Sequence, residues 1–368
     1  MRKISVLHVI NEDLTGGAEK LILDLAIESL DEVDSVGIMY LKGLSREKNV
    51  SLNNNRLNVH YPAQRASYLS PLWWREIIKI QRGYSAIYVH LFPALYISAI
   101  CKPFLRRKSF MSFIEHSTNN RRRSMWIGRL LDGIVYARYD RIIAISTAVR
   151  ANLCKHLSWS LTKVEIIPNG IRQDMFTRND KGDLRSYLNI GNDDYVILHV
   201  ASFQPPKDQL TLIKSLETLP TYVHVVFAGI GPKLMECKEF ARRLPYSSRI
   251  HFLGKRDDVP QLLKASDCFV LSSGYEGMPM SLLEAMTSKL PCIGADVPGI
   301  SELLSDCGLT FRYSDAESLA NRIQLLLESK ELAYEIAEKS FQKAKNYTAH
   351  GAMLSYLQLA KRHFEALS

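Results

Sequence analysis

The sequence predicts an α/β fold of two doubly wound parallel-sheet domains in tandem, and three observations carry that reading. At 368 residues the chain is too long for one ordinary core and suits two domains of roughly 150 to 180 residues. Short apolar runs alternate with stretches that are amphipathic at helical spacing, the pattern of βαβ units around parallel sheets. The opening pattern also occurs twice. The strand-like 4-ISVLHVI-10, a polar Gly-rich loop and the helical 18-AEKLILDLAIESL-30 are echoed by 195-YVILHVA-201, 202-SFQPPKD-208 and 209-QLTLIKSLETL-219.

Further strands follow in order. The first half offers 35-SVGIMYL-41, 86-AIYVHL-91, 109-SFMSFIEH-116, 141-RIIAIS-146 and 164-VEIIP-168. The second offers 222-YVHVVFAG-229, 250-IHFLG-254, 268-CFVLSS-273 and 291-PCIGAD-296. Pro168-Asn169-Gly170 is a strong turn signal after a strand and marks the boundary. The expected division is residues 1–170, 171–345, and a terminal helix in 346–368. Ligands of open α/β sheets sit at the carboxyl ends of strands, so two such domains are expected to face one another across a cleft that holds the site.

Composition narrows the class. Apolar residues make up 46% and charged residues 23%, ordinary for a globular protein. Six scattered cysteines with no CxxC pair predict a reducing compartment, no zinc site and no disulfide scaffold. The apolar stretch after Met1 ends at Asn11, too soon for a signal peptide, and reads as a first strand. The most apolar segment, 88-YVHLFPALYISAI-100, is too short to span a bilayer. A cytoplasmic protein, peripheral on the inner face of the cell membrane at most, is expected.

The net charge of +9 is unevenly placed. Between Lys102 and Arg129 lie eight basic residues and one acid, Glu115, interleaved with Phe104, Phe110, Met111, Phe113, Met125 and Trp126. Such a cluster, with Trp73 and Trp74 upstream, suits an anionic membrane surface or a phosphate-bearing acceptor. The plain alternative is a solvated basic face. No nucleic-acid motif accompanies the charge, so nucleic acid is not expected as a partner.

Four loops could carry chemistry. Gly16 and Gly17 precede a helix whose free N–H groups could receive a phosphate, although a plain βα turn reads equally well. The nearest approach to a dinucleotide fingerprint, 229-GIGPKL-234, lacks the third glycine. His116 ends a strand beside the expected cleft and is as readily structural as functional. Lys207, in a loop before a helix, can neutralise a phosphate or simply be solvated.

The fourth loop is 273-SGYEGMPMSLLEAM-286, with Glu276 and Glu284 eight positions apart. Pro279 suits the first helical position, and Glu284 then shares a face with Ser281, Ala285 and Ser288. Two carboxylates so placed can grip sugar hydroxyls at two points, with a diphosphate on the helix N-terminus between them. Metal binding is the rival reading, but no Asp-x-Asp or His cluster is near enough to complete a shell. A solvent-exposed ion-pairing role is the bland one.

In the form Y-E-G-M-P-x-S-L-L-E-A-M, these residues resemble the E-x7-E signature of retaining glycosyltransferase family 4. Around it 164-VEIIPNGI-171, Lys207, 226-VFAGIGP-232, 252-FLGKRDDV-259 and 266-SDCFVLSS-273 fall in the order that family shows, as do Gly16-Gly17 and His116. The resemblance implies a GT-B fold with the last helix crossing back to the first, acceptor-binding domain. It also implies a nucleotide-sugar donor held mainly by the second domain, with no metal or other cofactor. Glu284 then resembles the ribose-binding residue. Glu276, with the backbone of Gly277, Met278 and Met280, resembles the holder of the transferred sugar. Lys207 resembles the diphosphate lysine, with Gly16 or Gly17 approaching from the other domain and His116 facing the sugar ring. Lys255 and Arg256 to Val259 resemble the loop that cradles the base.

One departure stands out. Ala201-Ser202 replaces the Gly-Arg of many members, and Arg256, another basic residue, or the backbone amides must then help Lys207 neutralise the diphosphate. The expected function is retaining transfer from a nucleotide-sugar, a UDP-sugar by family frequency, to a glycan or lipid-linked acceptor in bacterial surface polysaccharide or glycolipid synthesis. A nucleotide-sugar epimerase of similar fold and a catalytically silent partner subunit are the alternatives.

Overall fold

The computed structural model describes residues 4–12, 16–42, 56–62, 70–117, 126–157, 163–177 and 184–367, without the side chains of Trp126 and Ile127. The chain forms two compact units: residues 1–170 with 349–368, and residues 171–348.

In the first unit β1 (Ser5–Glu12), α1 (Gly17–Ser29), β2 (Ser35–Lys42) and β3 (Leu57–His60) run to one side of the sheet. The chain then returns through α2 (Pro71–Arg82) to β4 (Ala86–His90), and α3 (Ala94–Cys101) leads to β5 (Phe110–Glu115). Next come α4 (Trp126–Ala137), β6 (Arg141–Ala144), α5 (Thr147–Leu157) and β7 (Val164–Ile166). The seven strands are parallel in the order β3-β2-β1-β4-β5-β6-β7. Strands buried on both faces need continuous apolar runs, and Val6, Leu7, Val9 and Ile10 of β1 are all essentially inaccessible.

The second unit begins with α6 (Asp174–Thr177) and α7 (Leu184–Leu188), then β8 (Tyr195–Val200), α8 (Gln209–Ser215), β9 (Val223–Ala228), α9 (Leu234–Arg242) and β10 (Ile250–Gly254). It returns through α10 (Val259–Lys264) to β11 (Cys268–Leu271), α11 (Met280–Thr287), β12 (Cys292–Ala295), α12 (Ile300–Leu304) and β13 (Leu309–Phe311). Helices α13 (Ala316–Glu328) and α14 (Lys330–Ala344) complete it. Its six strands are parallel in the order β10-β9-β8-β11-β12-β13. Both sheets therefore reverse direction once, between β1 and β4 and between β8 and β11. Such reversals open the crevice where ligands of this topology bind.

The last helix, α15 (Ala349–Ala366), belongs to the first unit. It packs on α1 and buries Met353, Tyr356, Leu357 and Leu359. The Tyr356 ring stacks on Tyr88 at 5.1 Å, and the Tyr88 hydroxyl donates to the Tyr356 carbonyl at 2.6 Å. Residues 346–348 stay with the second unit, where Ile171 donates to Tyr347 O at 3.1 Å.

Some boundaries differ from the sequence reading. The helix expected at 209–219 ends at Ser215, and Leu216 to Leu219 continue as turns. Pro279 is the N-cap of α11 with extended backbone, so the helix begins one residue later, at Met280. Strands β3 and β13 were not anticipated; four and three residues are too short to show a period of their own.

Candidate functional site

The loops after β8 and β11 meet at the strand reversal of the second unit, and three hydrogen bonds pin them together. Asp208 N donates to Ser272 O at 3.1 Å, Gly274 N to Pro206 O at 2.9 Å, and the Ser272 hydroxyl to Asp208 O at 2.5 Å. Lys207 forms an isolated antiparallel bridge with Ser273. Asp208 itself caps α8, accepting from Thr211 N at 3.2 Å. The pinning brings the Lys207 ammonium onto the Glu276 carboxylate as a close ion pair, both side chains less than one-fifth exposed. Two residues assigned to a ligand by their positions thus hold each other.

Glu284 lies on α11, 5% exposed, one and a half turns beyond Glu276's loop. Gly277 and Met278 are buried and Met280 half-buried. The first turn of α11 leaves its N–H groups without intrahelical partners. Gly299, whose φ of +86° only glycine adopts readily, passes close against the backbone of Glu276 and Gly277. A Cβ there would lie 2.5 Å from Glu276 O and 2.9 Å from Gly277 O.

The incomplete glycine motif at 229–232 has a structural task. Gly229 and Gly231 let the loop after β9 run against the loop after β8. A Cβ on Gly229 would stand 2.0 Å from Ala201 O, and one on Gly231 2.4 Å from Phe203 O. Phe203 N donates to Ile230 O and Lys233 N to Phe203 O, both at 2.9 Å. The two glycines thus set the path of the chain leading to Lys207.

His199, which the sequence reading passed over, sits fully buried on β8 beneath this loop. Its Nε2 is 3.4 Å from the Ser272 hydroxyl, and its Nδ1 has no hydrogen-bond partner among the described residues. Burial, and after it the Lys207 charge, lowers its pKa to about 3. Its signal in the sequence was a polar residue inside an otherwise apolar strand.

Arg256 is engaged within its own loop. It grips Asp258 through two hydrogen bonds of 2.7 and 2.5 Å, which raise the arginine pKa and depress that of the aspartate. The charge proposed to stand in for the missing arginine already has a partner.

The remaining predicted residues belong to the first unit, just beyond the carboxyl ends of β1 and β5. Gly16 is the N-cap of α1, with Gly17 the first helical residue. The Glu19 carboxyl folds back there, its pKa raised by burial against the lowering effect of backbone hydrogen bonds from Glu19 and Gly16. Asn11, at the end of β1, fastens the neighbouring strand's loop by donating to Phe92 O at 2.5 Å and accepting from Ala94 N at 3.0 Å. His116 follows β5, half-buried, with its pKa lowered to about 4 by burial. Among the described residues no His, Cys, Asp or Glu cluster is arranged to hold a metal ion.

Two family descriptions match the chain, one per unit: "Glycosyltransferase Family 4" over residues 15–174 and "Glycosyl transferases group 1" over residues 180–343. The chain belongs to glycosyltransferase family 4. Over 203 residues this family 4 member is 30% identical to the UDP-Gal:alpha-D-GlcNAc-diphosphoundecaprenol alpha-1,3-galactosyltransferase of Escherichia coli, 52% of each chain. Over 181 residues it is 28% identical to the N-acetyl-alpha-D-glucosaminyl L-malate synthase of Bacillus anthracis, 48% of each chain. The chain thus spans about half the length of these curated relatives.

Solved structures align far more fully. HepE of Anabaena in complex with UDP-glucose has a TM-score of 0.86 at 22% identity, covering 98% of this chain and 100% of that one. Sucrose-phosphate synthase of Thermosynechococcus elongatus has 0.85 at 17%, covering 99% and 100%. At such identities the likeness concerns the fold, which for this family 4 chain is the GT-B pairing of two parallel-sheet α/β domains.

Proposed function

We propose that the protein transfers a sugar from a nucleotide-sugar, a UDP-sugar, to a glycan or lipid-linked acceptor with retention of anomeric configuration and without a metal. The observation that carries this is the pinned pair of loops at the β8/β11 reversal, with Lys207, Glu276 and buried Glu284 arranged around the start of α11. Glu284 accepts from the ribose hydroxyls, Glu276 and the Gly277–Met280 backbone hold the transferred sugar, and Lys207 with the α11 amides receives the diphosphate. In the reaction the C1–phosphate oxygen bond breaks as the acceptor oxygen bonds C1 on the same face. The acceptor's hydroxyl proton passes to the leaving phosphate oxygen. No protein nucleophile is required, so the two glutamates are binding groups rather than a hydrolase pair.

The E. coli relative is named for UDP-galactose and a diphosphoundecaprenol acceptor, and the HepE structure for UDP-glucose. Both support the UDP part of the reading, and the E. coli relative supports the lipid-linked part. Gly16, Gly17 and His116 are kept in this reading as ligand-contacting residues of the first unit, and Arg256, held by Asp258, as one that borders the base. Neither an epimerase nor a silent partner subunit draws support from these relatives, which are named for synthesis and transfer. Thermal-shift titration with UDP, GDP, ADP and CDP in EDTA is the test. Stabilisation by UDP alone is expected; stabilisation by none, or only after a divalent ion is added, overturns the reading.

Peripheral membrane association is part of the proposal. Helix α4 buries Asp132 beside Tyr136, Asp132 accepting from the Tyr96 hydroxyl at 2.5 Å and from His156 at 2.9 Å, and exposes Leu130, Leu131 and Ile134. Ile100 and Phe104 are more than half exposed in the same unit, and Arg106, Arg107 and Lys108 are exposed beside Phe104 in sequence. Apolar side chains flanked by cations suit an anionic bilayer surface. No described helix is long and apolar enough to cross a membrane. Arg121, Arg122, Arg123 and Met125, also part of the expected 102–129 patch, lie outside the described residues. Flotation with anionic liposomes at low salt is expected to carry the protein. Loss of flotation is expected when Arg106, Arg107 and Lys108 become Gln, and undiminished flotation removes them from the surface.

A further inference from the structure

Three histidines, two on neighbouring strands of the first unit and one just after the next strand, form a continuous row. His8 Nδ1 lies 3.1 Å from His90 Nε2, and His90 Nδ1 lies 3.1 Å from His116 Nε2. The register explains the row. His8 of β1 pairs with Tyr88 of β4, and His90 stands two residues further on. His90 in turn pairs with Ile114 of β5, and His116 stands two further again. Parallel partners point to the same face, as do residues two apart, so the rings step diagonally from the interior toward the carboxyl edge of the sheet. His8 is 1% exposed and His90 fully buried. The rings bond one another in series rather than converging, so the row is not a metal cage. Neither His8 nor His90 has a part in the proposed transfer.

Burial lowers the pKa of His8 to about 3 and of His116 to about 4, and holds His90 well below its usual value, so all three rings are neutral near pH 7. A neutral imidazole has one N–H and one lone pair. Each of the two contacts must match an N–H with a lone pair, and only two arrangements do so throughout. Either every ring donates toward His116, whose Nδ1 then bears the outer hydrogen, or every ring donates toward His8, and that Nδ1 is an acceptor. Any mixed arrangement faces two hydrogens or two lone pairs across 3.1 Å, at a fully buried contact between His8 and His90 or a part-buried one between His90 and His116, where unmatched polar groups are costly.

We infer that His8 and His90 are positioning residues that lock His116 into one tautomer, so that its outer nitrogen offers a ligand a single fixed role. The inference rests on the reading of His116 as a residue facing the transferred sugar. A hydroxyl can donate or accept, and a locked ring selects one hydrogen-bond geometry for it before binding.

The experiment reads His116 directly. The 15N spectrum of imidazole-labelled protein, with the His116 signals assigned by their loss in His116→Ala, reports the hydrogen on each ring nitrogen. A single tautomer is expected, with no titration between pH 8 and pH 5. In His90→Leu, and in His8→Phe, whose altered side chain is not bonded to His116, averaged signals from both tautomers are expected. Should either variant fold poorly, the other retains the test. A His116 spectrum unchanged in a folded variant, or a mixture in the wild type, overturns the lock. Donor binding and turnover are measured alongside. With His116 mixed but the KM for the donor and kcat unchanged, the lock stands and the assignment of His116 to the sugar fails.

Discussion

Lys207 and Glu276 neutralise each other, and a diphosphate that reaches Lys207 competes with that carboxylate. Replacing Glu276 therefore acts in two directions. Glu276→Gln is expected to raise the affinity for UDP alone several-fold, on the order of 1 kcal/mol for a partly exposed pair. It is also expected to lower sugar transfer by at least tenfold, as befits the loss of a hydrogen bond to a charged group, about 1.5–3 kcal/mol. Calorimetry with UDP and initial rates with the sugar donor give the two numbers, and unchanged or weakened UDP binding refutes the competition. Glu284→Ala differs in kind: it is expected to weaken UDP and UDP-sugar alike, by roughly tenfold to a hundredfold. A loss confined to the sugar conjugate would move Glu284 away from the ribose. Serine at 202 makes these effects sharper, because no arginine stands there to share the diphosphate charge with Lys207.

Among the elements, the loops after β8, β9, β11 and β12 are more tightly specified than the strands they leave. Each passes close to another backbone: Gly229 and Gly231 against Ala201 and Phe203, Gly299 against Glu276 and Gly277. Gly229→Ala forces a methyl to 2.0 Å from Ala201 O at a φ of +150°, a strain on the order of 1–3 kcal/mol. The chain can relax only by moving the 201–207 segment. UDP affinity is expected to fall at least tenfold while the far-UV circular dichroism stays unchanged; wild-type affinity would show that the segment tolerates the shift. From sequence alone 229-GIGPKL-234 reads as an incomplete dinucleotide fingerprint. The glycines were legible, but their purpose was not, because the backbone they approach is about 28 residues earlier and in no local pattern.

Across the whole molecule, buried neutral histidines couple stability to pH. His8 and His199 occupy the same place in the first strand of each sheet, within the repeated Leu-His-Val triplet, and burial lowers each to about 3. The unfolded chain takes up a proton at each ring as pH falls through its ordinary value of 6.5, whereas the folded chain does so only near 3. Stability is therefore intact above pH 6.5 and lost as pH falls through that window, by about 1.4 kcal/mol per unit for each ring. A melting temperature several degrees lower at pH 5 than at pH 7 is expected, and a flat profile would mean that the rings are not held neutral. The terminal helix is a second whole-molecule feature. Tyr356 is fully buried against the first unit although it lies 268 positions from Tyr88. Tyr356→Ala is expected to destabilise that unit by about 3–5 kcal/mol, as an aromatic-to-alanine change does in a core. The melt should then separate into two transitions, with UDP still raising the one that belongs to the second unit. A single unshifted transition would show that α15 adds little.

Local period and composition encode the alternation of strands and helices, the two-fold echo, the turn at Pro168-Asn169-Gly170 and the order of the loops bearing Glu276 and Glu284, and all of these are legible before folding. Which side chains meet is settled by the packing of the folded chain. Lys207 and Glu276 are 69 positions apart, and the histidine row runs from His8 to His116. Those meetings depend on strand order and register, and neither is written in a single strand: a buried parallel strand is apolar on both faces and reads the same whichever neighbour it takes.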